Sequence, residues 1–174
     1  IAAELGMTAG NLYYYFADRQ ALLAFCQEAT LDHLLEQPAG RSPASSPASS
    51  PASSPASSPI TALRALLIAH VVCLNETFPG SLAHLEVEAI GESHRAPLLR
   101  KRREYEQRIE RLIAEGVDSG AFRPCSCRLA TLALLGALNW TVKWFDPAGP
   151  KTAREVGEEF ADLFLHGLEA PLAS

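Results

Sequence analysis

The chain has 174 residues, 48% hydrophobic and 20% charged, enough for one ordinary core or for a small module on a larger one. Its net charge of −5 excludes a general basic coat for nucleic acid, so any DNA contact must come from a local patch or from two patches paired in a dimer. No uninterrupted apolar run reaches eighteen residues, and no basic segment followed by an apolar signal core opens the chain, so neither a membrane span nor secretion is expected.

The chain opens with IAAELGMTAGNLYYYF. Ile1, Ala2 and Leu5 form the apolar side of a helix end, and Gly6 suits the left-handed exit from it. Thr8 caps the next helix, whose inward face is Leu12 and Phe16, while Asn11, Tyr14 and Tyr15 point elsewhere. Two helices joined by a short glycine-containing turn place the second in the major groove. An Asn amide pairs bidentately with adenine, and Tyr hydroxyls bond phosphates without net positive charge. Asp18 caps a third helix, expected to run to about Gln37, with Arg19 in its first turn as an ionic phosphate contact. Residues 1–37 carry one basic side chain, Arg19, against Glu4, Asp18, Glu28, Asp32 and Glu36.

Residues 38–59 are low in complexity, with Pro-Ala-Ser-Ser repeated four times from Pro43 to Ser58. Nothing there fills a core, so the segment reads as an extended spacer. Residues 60–174 are helical in pattern, with no convincing strand. Ser58 and Pro59 start a helix in which Leu63, Leu66, Leu67, His70, Val71, Leu74 and Phe78 keep 3–4 spacing, ended by Pro79-Gly80. A short helix is expected over residues 81–91. A long one follows over 97–119, with Tyr105, Ile109, Leu112 and Ile113 on one face and Gly120 beyond it. Residues 128–145 are apolar nearly all round. Thr152 caps a final helix with the stripe Val156, Phe160, Leu163, Phe164 and Leu168. The expected class is all-α, as a partial DNA-binding module with its connecting helix (1–37), a linker (38–59) and a helical domain (60–174).

The opening segment resembles the DNA-binding region of TetR-type transcription regulators from Ile1 to Leu23: an I-A-x-x-x-G turn, a small capping residue, Gly-x-Leu-Tyr-Tyr-aromatic-Phe, and a charged turn into Ala-Leu-Leu. The resemblance implies that Thr8, Ala9 and Gly10 start the recognition helix. It makes Asn11 a base contact, Tyr14 and Tyr15 backbone or base-edge contacts, and Arg19 a phosphate contact. The family often carries Lys where Ala17 stands here. Its first helix and basic arm are expected upstream of Ile1, supplying much of the counterion-release affinity. The resemblance also implies that residues 60–174 bind an effector and dimerise.

A helix apolar on two sides suits a subunit interface, so Leu132, Leu135, Phe160 and Phe164 are expected between two copies. Polar residues on apolar stripes are the pocket candidates. His70 and Asn139 interrupt such stripes, with Glu86, Tyr105 and Trp140 near them in pattern, and Lys101 and Arg102 border the stripe of the long helix. Apolar walls with a cation at the rim suit a fatty acid or an acyl-CoA thioester. The segments EYEQRIERLIAEGVDSGAFRP and LALLGALNWTVKWFDPAG are similar to those of TetR-type regulators of lipid or acyl-CoA catabolism.

The expected function is a cytoplasmic homodimeric repressor. It binds double-stranded operator DNA and releases it on binding a small-molecule effector, without a membrane partner. The competing expectation is a helical small-molecule-binding dimer that lacks DNA binding. No nucleophile elbow, phosphate-cradling glycine loop or metal-ligand cluster is legible, so no catalytic residue, metal or cofactor is assigned. Cys26, Cys73, Cys125 and Cys127 read as free thiols suited to a reducing compartment.

Overall fold

Most of the helices begin where a short polar side chain can close the first turn. The computed structural model describes residues 16–37, 58–79, 90 and 92–169. Helix α1 (Arg19–Glu36) is capped by Asp18, whose Oδ1 accepts from the Ala21 N–H at 2.7 Å. Helix α2 (Pro59–Val72) starts at the expected Ser58 cap with Pro59 in its first turn. Helix α3 spans Glu92–Asp118, and helix α4 (Cys127–Trp144) is capped by Ser126. Helix α5 (Ala153–Leu168) opens with a capping box in which Glu155 N–H donates to Thr152 Oγ1 and Thr152 N–H donates to Glu155 Oε2. Gly120, at φ 75°, makes the left-handed exit from α3. Among the described residues every regular element is helical; Phe122 and Glu169 form an isolated antiparallel bridge.

Two departures from the sequence pattern have physical causes. Helix α3 begins at Glu92, so Pro97 lies inside it instead of at its start. A proline this early removes one backbone bond from a 27-residue helix, which the remaining turns outweigh. Helix α2 does not continue regularly to Phe78 but passes into a π-helical turn, Cys73–Thr77, closed by Phe78 N–H donating to the Cys73 carbonyl at 2.8 Å. Asn75 holds that turn, donating Nδ2 to the Val71 carbonyl at 2.9 Å and to Thr141 Oγ1 of α4 at 2.8 Å. Phe25 is 59% exposed, with its ring 5.3 Å from Phe16, whereas Leu31 and Leu34 of the same helix are buried. The short helix expected over 81–91 lies almost wholly outside the described residues.

The main core is built by α2 to α5, with Leu63, Leu67, Ile109, Ile113, Leu138 and Leu165 among its buried members. The stretch Pro59–Thr77 has the length and hydropathy of a membrane span, but Leu63, Leu66, Leu67, His70 and Val71 are buried in the bundle. Helices α2 and α5 approach closely at Gly157, where a Cβ would sit 3.0 Å from Ile68 Cα and 3.4 Å from Val71 Cβ. Arg64 and Asp162 pair across the same two helices at 2.5 Å. Gly116 leaves room on α3 for the buried ring of Phe122. A second, smaller apolar cluster joins Ala24 and Leu31 of α1 to Ile90 and Leu98.

Candidate functional site

Three polar side chains from separate stretches of sequence meet inside the bundle. His70 of α2 is fully buried. Its Nδ1 lies 3.0 Å from the Tyr105 hydroxyl of α3, with the two rings stacked at 5.6 Å. Its Nε2 lies 3.1 Å from Asn139 Oδ1 of α4. An amide oxygen only accepts, so Nε2 carries the proton and Nδ1 accepts from the tyrosine hydroxyl. That is one neutral tautomer with both ring nitrogens satisfied. Burial pushes the His70 pKa down to about 4, with the Asn139 bond opposing the shift. Burial likewise raises the Tyr105 hydroxyl far above its ordinary range. The network therefore keeps its protons near neutral pH and fixes α2, α3 and α4 in register.

Two cations of the basic run of α3, Lys101 and Arg108, are turned toward α1. The Lys101 ammonium pairs with Asp32 at 2.7 Å and Glu28 at 3.7 Å. One helical step on, Arg102 is half-buried; burial lowers its pKa and the neighbouring Glu106 opposes that. Arg108, two turns along from Lys101, donates to the carbonyls of Leu34 at 3.3 Å and Leu35 at 2.8 Å, and also to that of Gln37. These are the orphan carbonyls of the α1 C-terminus, where a cation also meets the negative end of the helix dipole. Sequence reasoning gives Arg108 no such role, because its partners lie 71 to 74 residues away.

The outer face of α4 is apolar and open. Leu129 is 67% exposed, Leu132 45%, Trp140 58% and Trp144 49%, and Leu163 of α5 beside them is 69% exposed. Trp140 is thus on the outside, one residue from Asn139, which reaches His70. Phe160 and Phe164 are half-buried, stacked on each other at 6.1 Å, with Trp144 6.3 Å from Phe160. Leu135, grouped with these on the sequence pattern, is 8% exposed and packs in the protomer's own core. An apolar groove of about 430 Å³ runs between the start of α4 and the end of α5, lined by Leu129, Ala133, Leu163 and Phe164 and bordered by Arg123 and Cys125. All four cysteines are free thiols; Cys73 is buried and its pKa is pushed up to about 12.

Thr8, Ala9, Gly10, Asn11, Tyr14, Tyr15 and Glu86 lie outside the described residues. Arg19 is exposed in the first turn of α1. Gln27, fully buried on α1, is absent from the sequence-derived candidates although it breaks an apolar stripe as His70 does.

The described residues thus form a helical bundle with a buried polar network, and α1 is bonded to its longest helix. The chain belongs to the tetracyclin repressor-like (TetR) family: residues 56–168 match the family described as tetracyclin repressor-like, C-terminal domain. It is similar to the HTH-type transcriptional repressor KstR2 of Mycobacterium tuberculosis, 22% identical over 171 residues that cover 97% of this chain and 80% of that one. Among solved structures it is similar to the TetR family transcriptional regulator PfmR from Thermus thermophilus, with 29% identity, a TM-score of 0.74, and coverage of 97% of this chain and 87% of that one. It is also similar to AibR in complex with isovaleryl coenzyme A and operator DNA, with 22% identity, a TM-score of 0.67, and coverage of 98% and 85%. Among the described residues the fold is all-α, and it is that of the family's transcription regulators.

Proposed function

We propose that the chain is a DNA-binding repressor that releases its operator on binding a small apolar effector with an anionic end, of the fatty acid or acyl-CoA type. The observation that carries this reading is the bonding of α1 to α3 through Lys101 and Arg108. Any rearrangement of α3 around a ligand moves α1, and α1 is continuous in sequence with the helix-turn-helix segment. The linker at 38–59 follows α1, so coupling need not pass through it. The isovaleryl coenzyme A bound to AibR is a precedent for the effector class in this fold.

In this reading Thr8, Ala9 and Gly10 open the recognition helix, Asn11 reads a base, and Tyr14, Tyr15 and Arg19 hold the DNA backbone. His70, Tyr105 and Asn139 are the candidate polar contacts for the effector, together with Glu86. Lys101 and Arg102 are the candidate cations for an anionic group, and in the unliganded chain Lys101 is held by Asp32 and Glu28. Leu132, Phe160 and Phe164, with Trp140 and Trp144, meet a second copy in a cytoplasmic homodimer, whose two recognition helices lie about one DNA turn apart. Binding of the full-length protein to the DNA upstream of its own coding sequence tests the DNA half. Asn11→Ala should weaken binding about tenfold, the worth of one bidentate base contact, and unchanged affinity would overturn the assigned contact.

The second reading, an effector-binding dimer without DNA binding, is favoured by one observation: Arg19 is the sole cation among residues 1–37 against five acids. It predicts effector binding by calorimetry with no retention of DNA in the same assay.

A further inference from the structure

The stripe of α1 that faces α3 reads Ala24, Gln27, Leu31 and Leu34, and all four are buried. Gln27 is 0% exposed, and neither its Oε1 nor its Nε2 has a hydrogen-bond partner among the described residues. Thr30, equally buried on the same helix, shows the usual solution: its hydroxyl donates to the Cys26 carbonyl at 2.8 Å. An amide left without partners in an apolar interior costs free energy that a leucine or methionine of similar volume does not. Its neighbours along the stripe, Ala24 and Leu31, belong to the small cluster with Ile90 and Leu98, apart from the main core. One turn before Leu98, Arg95 donates to the Ile90 carbonyl at 3.3 Å, so a cation borders the same cluster.

We infer that Gln27 is an effector-reading residue, and that its amide takes a neutral ligand group able both to accept from Nε2 and to donate to Oε1. An ionised carboxylate only accepts; it would satisfy Nε2 and set its charge against Oε1. A ketone or a thioester carbonyl also only accepts. A secondary amide or a hydroxyl does both. An acyl-CoA carries such amides in the arm beyond its thioester, and an ionised fatty acid carries none. The inference rests on the proposed effector class and narrows it from fatty acid or acyl-CoA to the thioester conjugate.

Calorimetry and thermal melting of the full-length protein test this, with isovaleryl-CoA and free isovalerate as probes on wild type, Gln27→Met and Gln27→Leu. The wild type should bind isovaleryl-CoA at least tenfold more tightly than isovalerate. Either variant should melt at or above the wild-type temperature without ligand, yet bind isovaleryl-CoA at least tenfold more weakly. A foldable variant that melts lower and keeps its isovaleryl-CoA affinity within twofold would show Gln27 to be a packing residue and overturn the inference while leaving the effector class intact. Equal affinity of the wild type for both probes overturns the amide-reading role. If the wild type binds neither, the effector class fails and the assignment of Gln27 fails with it.

Discussion

The guanidinium of Arg108 donates to the Leu35 carbonyl at 2.8 Å, joining the last turn of α1 to the middle of α3. With the bonds to Leu34 and Gln37 it closes carbonyls that no residue of α1 can close. Arg108→Met should therefore destabilise the protein by about 1.5–3 kcal/mol, the range for hydrogen bonds to charged groups. Arg108→Lys should recover only part, because an ammonium lacks the planar fork. Urea denaturation checks both, and a loss below about 0.5 kcal/mol for the methionine variant would fall within the range of an ordinary surface change.

The Lys101–Asp32 pair is partly exposed, 26% and 49% by side chain, so its effect on stability should be small and dependent on salt. Its effect on coupling should be larger. Lys101→Glu sets three acids together and should lower DNA affinity, and the exchange Lys101→Asp with Asp32→Lys should restore it. Fluorescence anisotropy with labelled DNA measures this; a double variant no better than the single one would show that the pairing is incidental.

His70 predicts an acid-labile fold. The unfolded histidine takes up a proton near pH 6.5, whereas the folded one refuses it until about pH 4. Stability from this group is thus complete above pH 6.5 and lost as pH falls toward 4, by on the order of 3 kcal/mol in all. Glu155, held down by the Thr152 backbone and hydroxyl, and Asp162, held down by Arg64, lose their contributions only at lower pH. Melting temperatures between pH 7 and 4.5 should fall for the wild type and stay flatter for His70→Gln. Parallel curves would assign the acid sensitivity elsewhere.

At Gly116 an added Cβ would lie 2.0 Å from Phe122 Cδ2, so Gly116→Ala must displace a ring that is 1% exposed. The expected cost is about 1–3 kcal/mol, the usual range for overpacking a core. Gly136, on the open face of α4, has nothing within 4 Å of such a Cβ among the described residues, and Gly136→Ala should leave the isolated protomer unperturbed. Chemical denaturation of the two variants side by side checks the contrast.

What is legible in the sequence is local. The Ser58-Pro59 start, the Thr152 and Glu155 box and the Gly120 exit are each set by neighbours within a few residues. The inward pattern of α3 holds because Tyr105, Ile109, Leu112 and Ile113 keep helical spacing. What stays hidden is the identity of distant partners. His70 and Asn139 look alike as polar interruptions, yet that they bond each other across 69 residues is a tertiary fact. Lys101 reads as a rim cation because nothing in its own helix shows Asp32 opposite. The π-helical turn at Cys73–Thr77 adds one residue to a turn, which hydrophobic spacing does not resolve. Gln27 interrupts the stripe of α1 as His70 interrupts that of α2, so the same criterion, applied before the linker as well as beyond it, finds both.

Coupling between effector and operator is read most directly by an electrophoretic mobility shift of the full-length protein with the DNA upstream of its own coding sequence, titrated with isovaleryl-CoA. A discrete dimer–DNA complex should form and isovaleryl-CoA should dissociate it, with Arg108→Met blunting the response. A complex that persists at effector concentrations shown by calorimetry to saturate the protein would contradict the proposed coupling between the effector domain and α1.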